Sequence, residues 1–301
     1  MDKLFVFDTT IRDGQLPNFK YTQKQKIEIA KQLEKLNVDV IEAGFASQGD
    51  KESIKDIAQM IKGCTVASLS RAVKSDIDDS YESVKSAVSP RIHLYITTGS
   101  TYLENAKINE SDVLEMIAQM VAYAKSKVSD IEFTCADATR TEKAFLSRAV
   151  ETAIKSGATT IGLPDTFCFS TPEEMSAMIE FIRHNVTNID KAIISAHNHN
   201  DLGLAVANTL ACVKSGARQI ECTINGIGLR AGNASFEEVI TALEKRFDYY
   251  KIKSAINLNE IYPTCKMISE IVEIPIPAYK AVVGSNSRQG DDRSIYNIVS
   301  K

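Results

Sequence analysis

No stretch of this 301-residue chain is apolar for long enough to cross a membrane. Positive charge is not in excess either: 35 Lys and Arg stand against 39 Asp and Glu, a formal net charge of −4. An isoelectric point near 5.7 argues against nucleic-acid binding, which usually uses a basic face. A small anionic substrate stays possible, because a pocket can be locally positive in an acidic protein. The six cysteines have no CxxC spacing, which excludes a structural zinc site and predicts reduced, buried thiols. The opening MDKLFVFDTT has neither a long apolar segment nor a cleavage site, so the expected compartment is the cytoplasm. Histidine is scarce, with four residues in all, and two of them fall within the heptapeptide AHNHNDL at 196–202.

What the chain does contain is a rhythm. Short, β-branched apolar runs occur at KLFVFDT, VDVIEAGF, TVASLS, RIHLYITT, DIEFTCAD, TIGLPDT, AIISAHNH and QIECTING. Amphipathic segments such as TQKQKIEIAKQLEKL, SDVLEMIAQMVAYAKSKV and SFEEVITALEKRF lie between them. Eight strand–helix units predict a parallel sheet, and right-handed crossovers close eight such units most simply into a (β/α)₈ TIM barrel. An open doubly wound sheet is the alternative, but no GxGxxG turn follows the first strand. The expected division is a catalytic barrel over residues 1–250 and a short C-terminal extension over 251–301, with a helix at NEIYPTCKMISEIV.

In such a barrel the active site lies at the C-terminal ends of the strands. Polar residues gather there: Asp8, Arg12 and Asp13 after strand 1, Glu42 on strand 2, and Asp137 after strand 5. Asp165 and Thr166 end strand 6, His197 and His199 end strand 7, and Asn225 and Asn233 follow strand 8. Residues i and i+2 of a strand share a face, so His197 and His199 both project into the mouth. Two imidazoles joined by a carboxylate from elsewhere suit a divalent cation with open coordination positions. The plainer alternatives are histidines bonded to rim backbone and an Arg12–Asp13 salt bridge closing the rim.

DTTIRDG, DVIEAGF, GATTIGLPDT, HNHNDLGLAVANTLACVKSGARQIECTINGIG and RAGNASFEEV together resemble the metal-dependent pyruvate carboxyltransferase or HMG-CoA lyase superfamily, in its 2-isopropylmalate synthase branch. The resemblance runs from the first strand to about Gly284 and implies a TIM barrel. It implies that Asp13, His197 and His199 bind a divalent metal (Mg, Mn or Zn), with Asn233 as a further ligand or close neighbour. It implies also that Arg12 contacts a 2-oxo acid or its enolate, that Thr166 holds the substrate carboxylate, and that Glu42 matches a polar active-site position. Arg12 and Glu42 are thus the expected catalytic residues. The family's reaction attacks a metal-bound ketone with the enolate of acetyl-CoA, after which the thioester is hydrolysed. The expected assembly is a homo-oligomer, a dimer.

Departures from that pattern leave three readings open. RDGQLPNF lacks the family's glutamate, Ala136 stands where strand 5 normally ends in a catalytic glutamate, and Leu229 replaces a glutamate after strand 8. TTGSTYLENAK has no histidine, and PIPAYKAVVGSNSRQGDDRSIYNIVSK has no histidine-bearing subdomain. The first reading is an acyl-CoA-dependent synthase, the second a metal-dependent aldolase or lyase acting on a 2-oxo or 2-hydroxy acid. The third is a non-catalytic descendant that binds metal and ligand. Cys135 and Cys222 are expected to be buried and inert, His93 and His184 not to be ligands, and GSNSRQGDDRS to be a solvated tail.

Overall fold

A computed structural model describes residues 2–16 and 18–288, without the Arg288 side chain; most of the expected solvated tail lies outside them. Eight parallel strands close on themselves: β1 (Phe5–Asp8), β2 (Val40–Phe45), β3 (Thr65–Arg71), β4 (Pro90–Thr97), β5 (Asp130–Ala136), β6 (Thr160–Asp165), β7 (Ile193–Asn198) and β8 (Gln219–Cys222). Closure is made by β8 pairing with β1, Phe5 opposite Gln219 and Asp8 opposite Cys222. The fold is a TIM barrel.

Local chemistry starts and stops the helices. Thr22 caps α1 (Gln23–Leu36) and Gln25 reaches back to the cap, a reciprocal pair that satisfies two otherwise orphaned N–H groups. Asn37 ends that helix in the left-handed conformation, φ 65°. Ile29, Leu33 and Leu36 share its buried face. Thr171 and Glu174 repeat the capping device at α2 (Pro172–Asn185), with Pro172 in the first turn.

Both faces of every strand are covered, but by different chemistry. Ile92, Leu94, Ile131, Phe133, Ile194, Ala196, Ile220 and Cys222 belong to the large apolar core. Arg91, His93, Glu132, Thr134, Ser195, His197, Gln219 and Glu221 alternate with them and are also buried, so they fill the barrel axis. Apolar side chains within that axis are few, and Phe7, Val40 and Ala67 form a small cluster apart from the main core. Gly162 is set by this crowding, since a Cβ there would stand 2.0 Å from Thr134 Oγ1.

Beyond the barrel, Ile252–Lys253 pairs in parallel with Asp2–Lys3, and helix Ile261–Val272 lies against α1. Gln32 donates to Thr264 and Glu260 at 3.0 Å, while Ile261, Cys265 and Ile268 join the main core. Lys280 anchors the following segment on Ser235 and Glu238. Among the described residues all six cysteines are free and buried, and no helix is long and apolar enough to cross a membrane.

Candidate metal centre and active site

At the C-terminal end of the barrel is a cavity of about 250 Å³ whose walls include Arg12, Asp13, Thr166, His197 and His199. Asp13 and the two histidines each direct a ligand atom into a cluster, all within 4.8 Å of one another. His197 Nε2 and His199 Nε2 are 3.3 Å apart, and Asp13 Oδ2 is 3.3 Å from His197 Nε2. Three buried polar atoms in this region have no hydrogen-bond partner: Asp13 Oδ2, His199 Nδ1 and Asn233 Oδ1. Such atoms cost free energy unless something supplies the missing bond. Asn233 is held beside His199 by an isolated antiparallel bridge. Gly228 permits that approach, because a Cβ there would meet Asn233 Nδ2 at 2.4 Å. Two imidazoles, a carboxylate and an amide oxygen form a donor set that fits a divalent cation.

The charges around the cluster are balanced in pairs. Burial alone would raise the Asp13 pKa, but Arg12 and then the two histidines outweigh it and hold it below the usual carboxylate value. Burial and the neighbouring charge of His197 press His199 down to about 4, which keeps its ring neutral and able to ligate. For His197 burial is overcome by Glu221, whose carboxylate accepts from Nδ1 at 2.9 Å, and the pKa rises.

Arg12 connects the cluster to the barrel wall. Its Nη1 pairs with Asp13 Oδ1 at 2.9 Å and its Nε donates to Glu42 Oε2 at 2.6 Å. The rim salt bridge offered as the plainer alternative therefore exists, and it forms part of the site. Glu42 is wholly buried behind Arg12 rather than on the cavity wall, and its other oxygen accepts from His93 Nδ1 at 2.7 Å. Thr166 lines the cavity; its Oγ1 accepts the Asp137 N–H at 3.0 Å, which leaves the hydroxyl proton to donate inward.

Four residues placed at the mouth by sequence pattern hold loops instead. Asp8 bonds Thr10, and burial pushes its pKa up to about 7. Asp137 is gripped bidentately by Arg140 at 2.7–2.8 Å. Asp165 accepts from Thr139 and the Ser170 N–H, and Asn225 donates to Cys265 O. His93, expected not to be a ligand, is outside the Asp13, His197 and His199 cluster; its place on the cavity wall, with Nε2 2.8 Å from Thr134 Oγ1, was not foreseen. Glu221 was missed as well. Strand alternation carried the signal for both, since His93 shares a face with Arg91 and Tyr95, and Glu221 with Gln219. Ala136 forms part of the cavity wall, whereas Leu229 is half exposed on the loop after β8.

Residues 3–268 match the HMGL-like family model. The chain belongs to that family. It is 48% identical over 291 residues to a 2-isopropylmalate synthase of Shouchella clausii, covering 95% of this chain and 57% of the relative. It is 50% identical over 286 residues to a 2-isopropylmalate synthase of Ruminiclostridium cellulolyticum, covering 94% and 56%. The chain thus spans little more than half the length of these curated relatives. Hydroxymethylglutaryl-CoA lyase from Pseudomonas aeruginosa has the same fold, with a TM-score of 0.75 at 17% identity over 99% of this chain and 98% of that one.

Proposed function

We propose that this member of the HMGL-like family binds a divalent cation through Asp13, His197, His199 and Asn233, and a 2-oxo acid beside it, for carbon–carbon bond formation of the 2-isopropylmalate synthase type. The observation that carries the reading is the set of buried, partnerless atoms around the two facing imidazole nitrogens. A divalent ion there supplies Lewis acidity to a ketone oxygen. Arg12 brings a rigid fork of donors to the same rim, suited to a carboxylate or developing oxyanion. Thr166 adds a hydroxyl proton for the substrate carboxylate. The acyl partner of such a condensation is acetyl-CoA.

A second reading, an aldolase or lyase on a 2-oxo or 2-hydroxy acid, is favoured by one feature of the cavity. Ala136 supplies no base to the wall, and the carboxylates nearby are each engaged: Asp13 with Arg12, Glu42 with Arg12 and His93, Glu221 with His197 and Ser195.

Calorimetry on the purified chain tests the binding half of both. Mn²⁺ should bind stoichiometrically, 2-oxoisovalerate or pyruvate should bind only with the metal present, and His197→Ala should lose both signals. Arg12→Lys should keep the metal and weaken the 2-oxo acid. Unchanged metal binding in His197→Ala would remove the histidine pair from the site. Incubation with 2-oxo acids and acetyl-CoA then separates the readings: free thiol marks the synthase, and an oxo acid released from a hydroxy acid marks the lyase.

A further inference from the structure

The side chains beneath the metal cluster form a hydrogen-bond chain with a direction. It begins at Arg91 on β4, which can only donate. Arg91 Nη1 donates to Gln219 Oε1 and to Glu132 Oε2, each at 2.8 Å. With its oxygen turned to Arg91, Gln219 directs Nε2 the other way and donates to Glu132 Oε1 and to Ser195 Oγ, both at 2.9 Å. Ser195, receiving that bond, gives its own proton to Glu221 Oε1 at 2.9 Å. The second Glu221 oxygen faces His197 Nδ1 at 2.9 Å and can only accept. All of these side chains are buried, so water does not compete for the bonds.

We infer that Glu221 is a positioning residue: it keeps the His197 proton on Nδ1 and so leaves the Nε2 lone pair facing Asp13 and His199, while Ser195, oriented through Arg91 and Gln219, donates to its other oxygen. The inference rests on the metal centre proposed above. A carboxylate is required because the chain is polar. With glutamine at 221, Ser195 would still donate to the amide oxygen, and the amide NH₂ would face Nδ1. Two donors cannot face each other, so the ring proton would move to Nε2 and block the ligand position. An outer partner of a metal-bound histidine typically controls about 10–100-fold in metal affinity.

The test uses the full chain and Mn²⁺ as the probe, in wild type, Glu221→Gln, Ser195→Ala, the Ser195→Ala/Glu221→Gln double variant and His197→Ala. Glu221→Gln should bind Mn²⁺ roughly 10–100-fold more weakly, and Ser195→Ala should stay close to wild type. The double variant should bind more tightly than Glu221→Gln alone, because without the Ser195 donor the amide can turn its oxygen toward His197. A loss of packing would not be rescued by removing a second side chain. Imidazole ¹⁵N spectra of the metal-free protein at alkaline pH should show His197 protonated on Nδ1 in wild type and on Nε2 in Glu221→Gln. Wild-type affinity in Glu221→Gln, or a double variant no tighter than Glu221→Gln, would overturn the inference. Mn²⁺ retained by His197→Ala would overturn both it and the metal centre beneath it.

Discussion

Removing Arg12 should strand a buried charge, and the stability cost can be worked from its contacts. Arg12 holds Glu42 through a 2.6 Å bond and Asp13 through a 2.9 Å pair, and Glu42 has no exposure to solvent. In Arg12→Ala, His93 alone remains to balance Glu42. Breaking a buried pair by deleting one partner costs about 3–5 kcal/mol. At roughly 2 °C per kcal/mol, the lower end for large domains, Tm should fall by about 6–10 °C. Glu42→Gln by itself should cost less, because an amide oxygen can still accept from Arg12. The decisive measurement is the Arg12→Ala/Glu42→Gln double variant in urea denaturation, all without metal. Neutralising residue 42 removes the stranded charge, so the double variant should be more stable than Arg12→Ala, with a coupling of about 0.5–3 kcal/mol. Simple addition of the two single losses would refute the claim that Arg12 compensates Glu42.

Burial opposes charging His93, but Glu132 and then Glu42 outweigh it and raise its pKa above the ordinary imidazole value. Its contribution to stability is therefore fully present below a pH of about 6.5 and lost as the pH rises through the raised value. The urea-midpoint gap between wild type and His93→Gln should accordingly be wider at about pH 6 than at about pH 9; an equal gap would show that the ring is neutral throughout. Acetyl-CoA-dependent thiol release with 2-oxoisovalerate should be slow, since the lack of one general base typically costs roughly 10²–10⁴ in rate, while the 2-oxo acid still binds. Turnover near the median enzyme scale of about 10 s⁻¹ would mean that another group replaces the carboxylate absent at Ala136. Burial pushes the Cys135 thiol up to about 12 and Cys222 well above its ordinary value. Native protein should therefore react slowly with a thiol reagent at these positions, and a fast-reacting Cys135 in peptide mapping would contradict the packing.

Much of this architecture follows from local pattern. Apolar runs with strand-like composition, separated by amphipathic segments with Thr22 and Thr171 caps, specify eight strand–helix units, because backbone pairing and side-chain periodicity act over a few residues. The i, i+2 spacing of His197 and His199 likewise puts both on one face whatever the rest of the chain does. Closure of the barrel then brings Asp13 to them from the other end of the sequence. Tertiary structure alone decided which carboxylates would serve the cavity and which would hold loops. Asp137 and Asp165 lie at the same end of the barrel as Asp13, yet Arg140 engages Asp137, and Thr139 and the Ser170 N–H engage Asp165. His93 and Glu221 lie within apolar-looking strands, and their importance arises from partners on other strands at 2.7–2.9 Å. A strand pattern states that such a side chain points inward. Only the packed barrel, with its fixed register and its exclusion of water, determines which charge it must meet there.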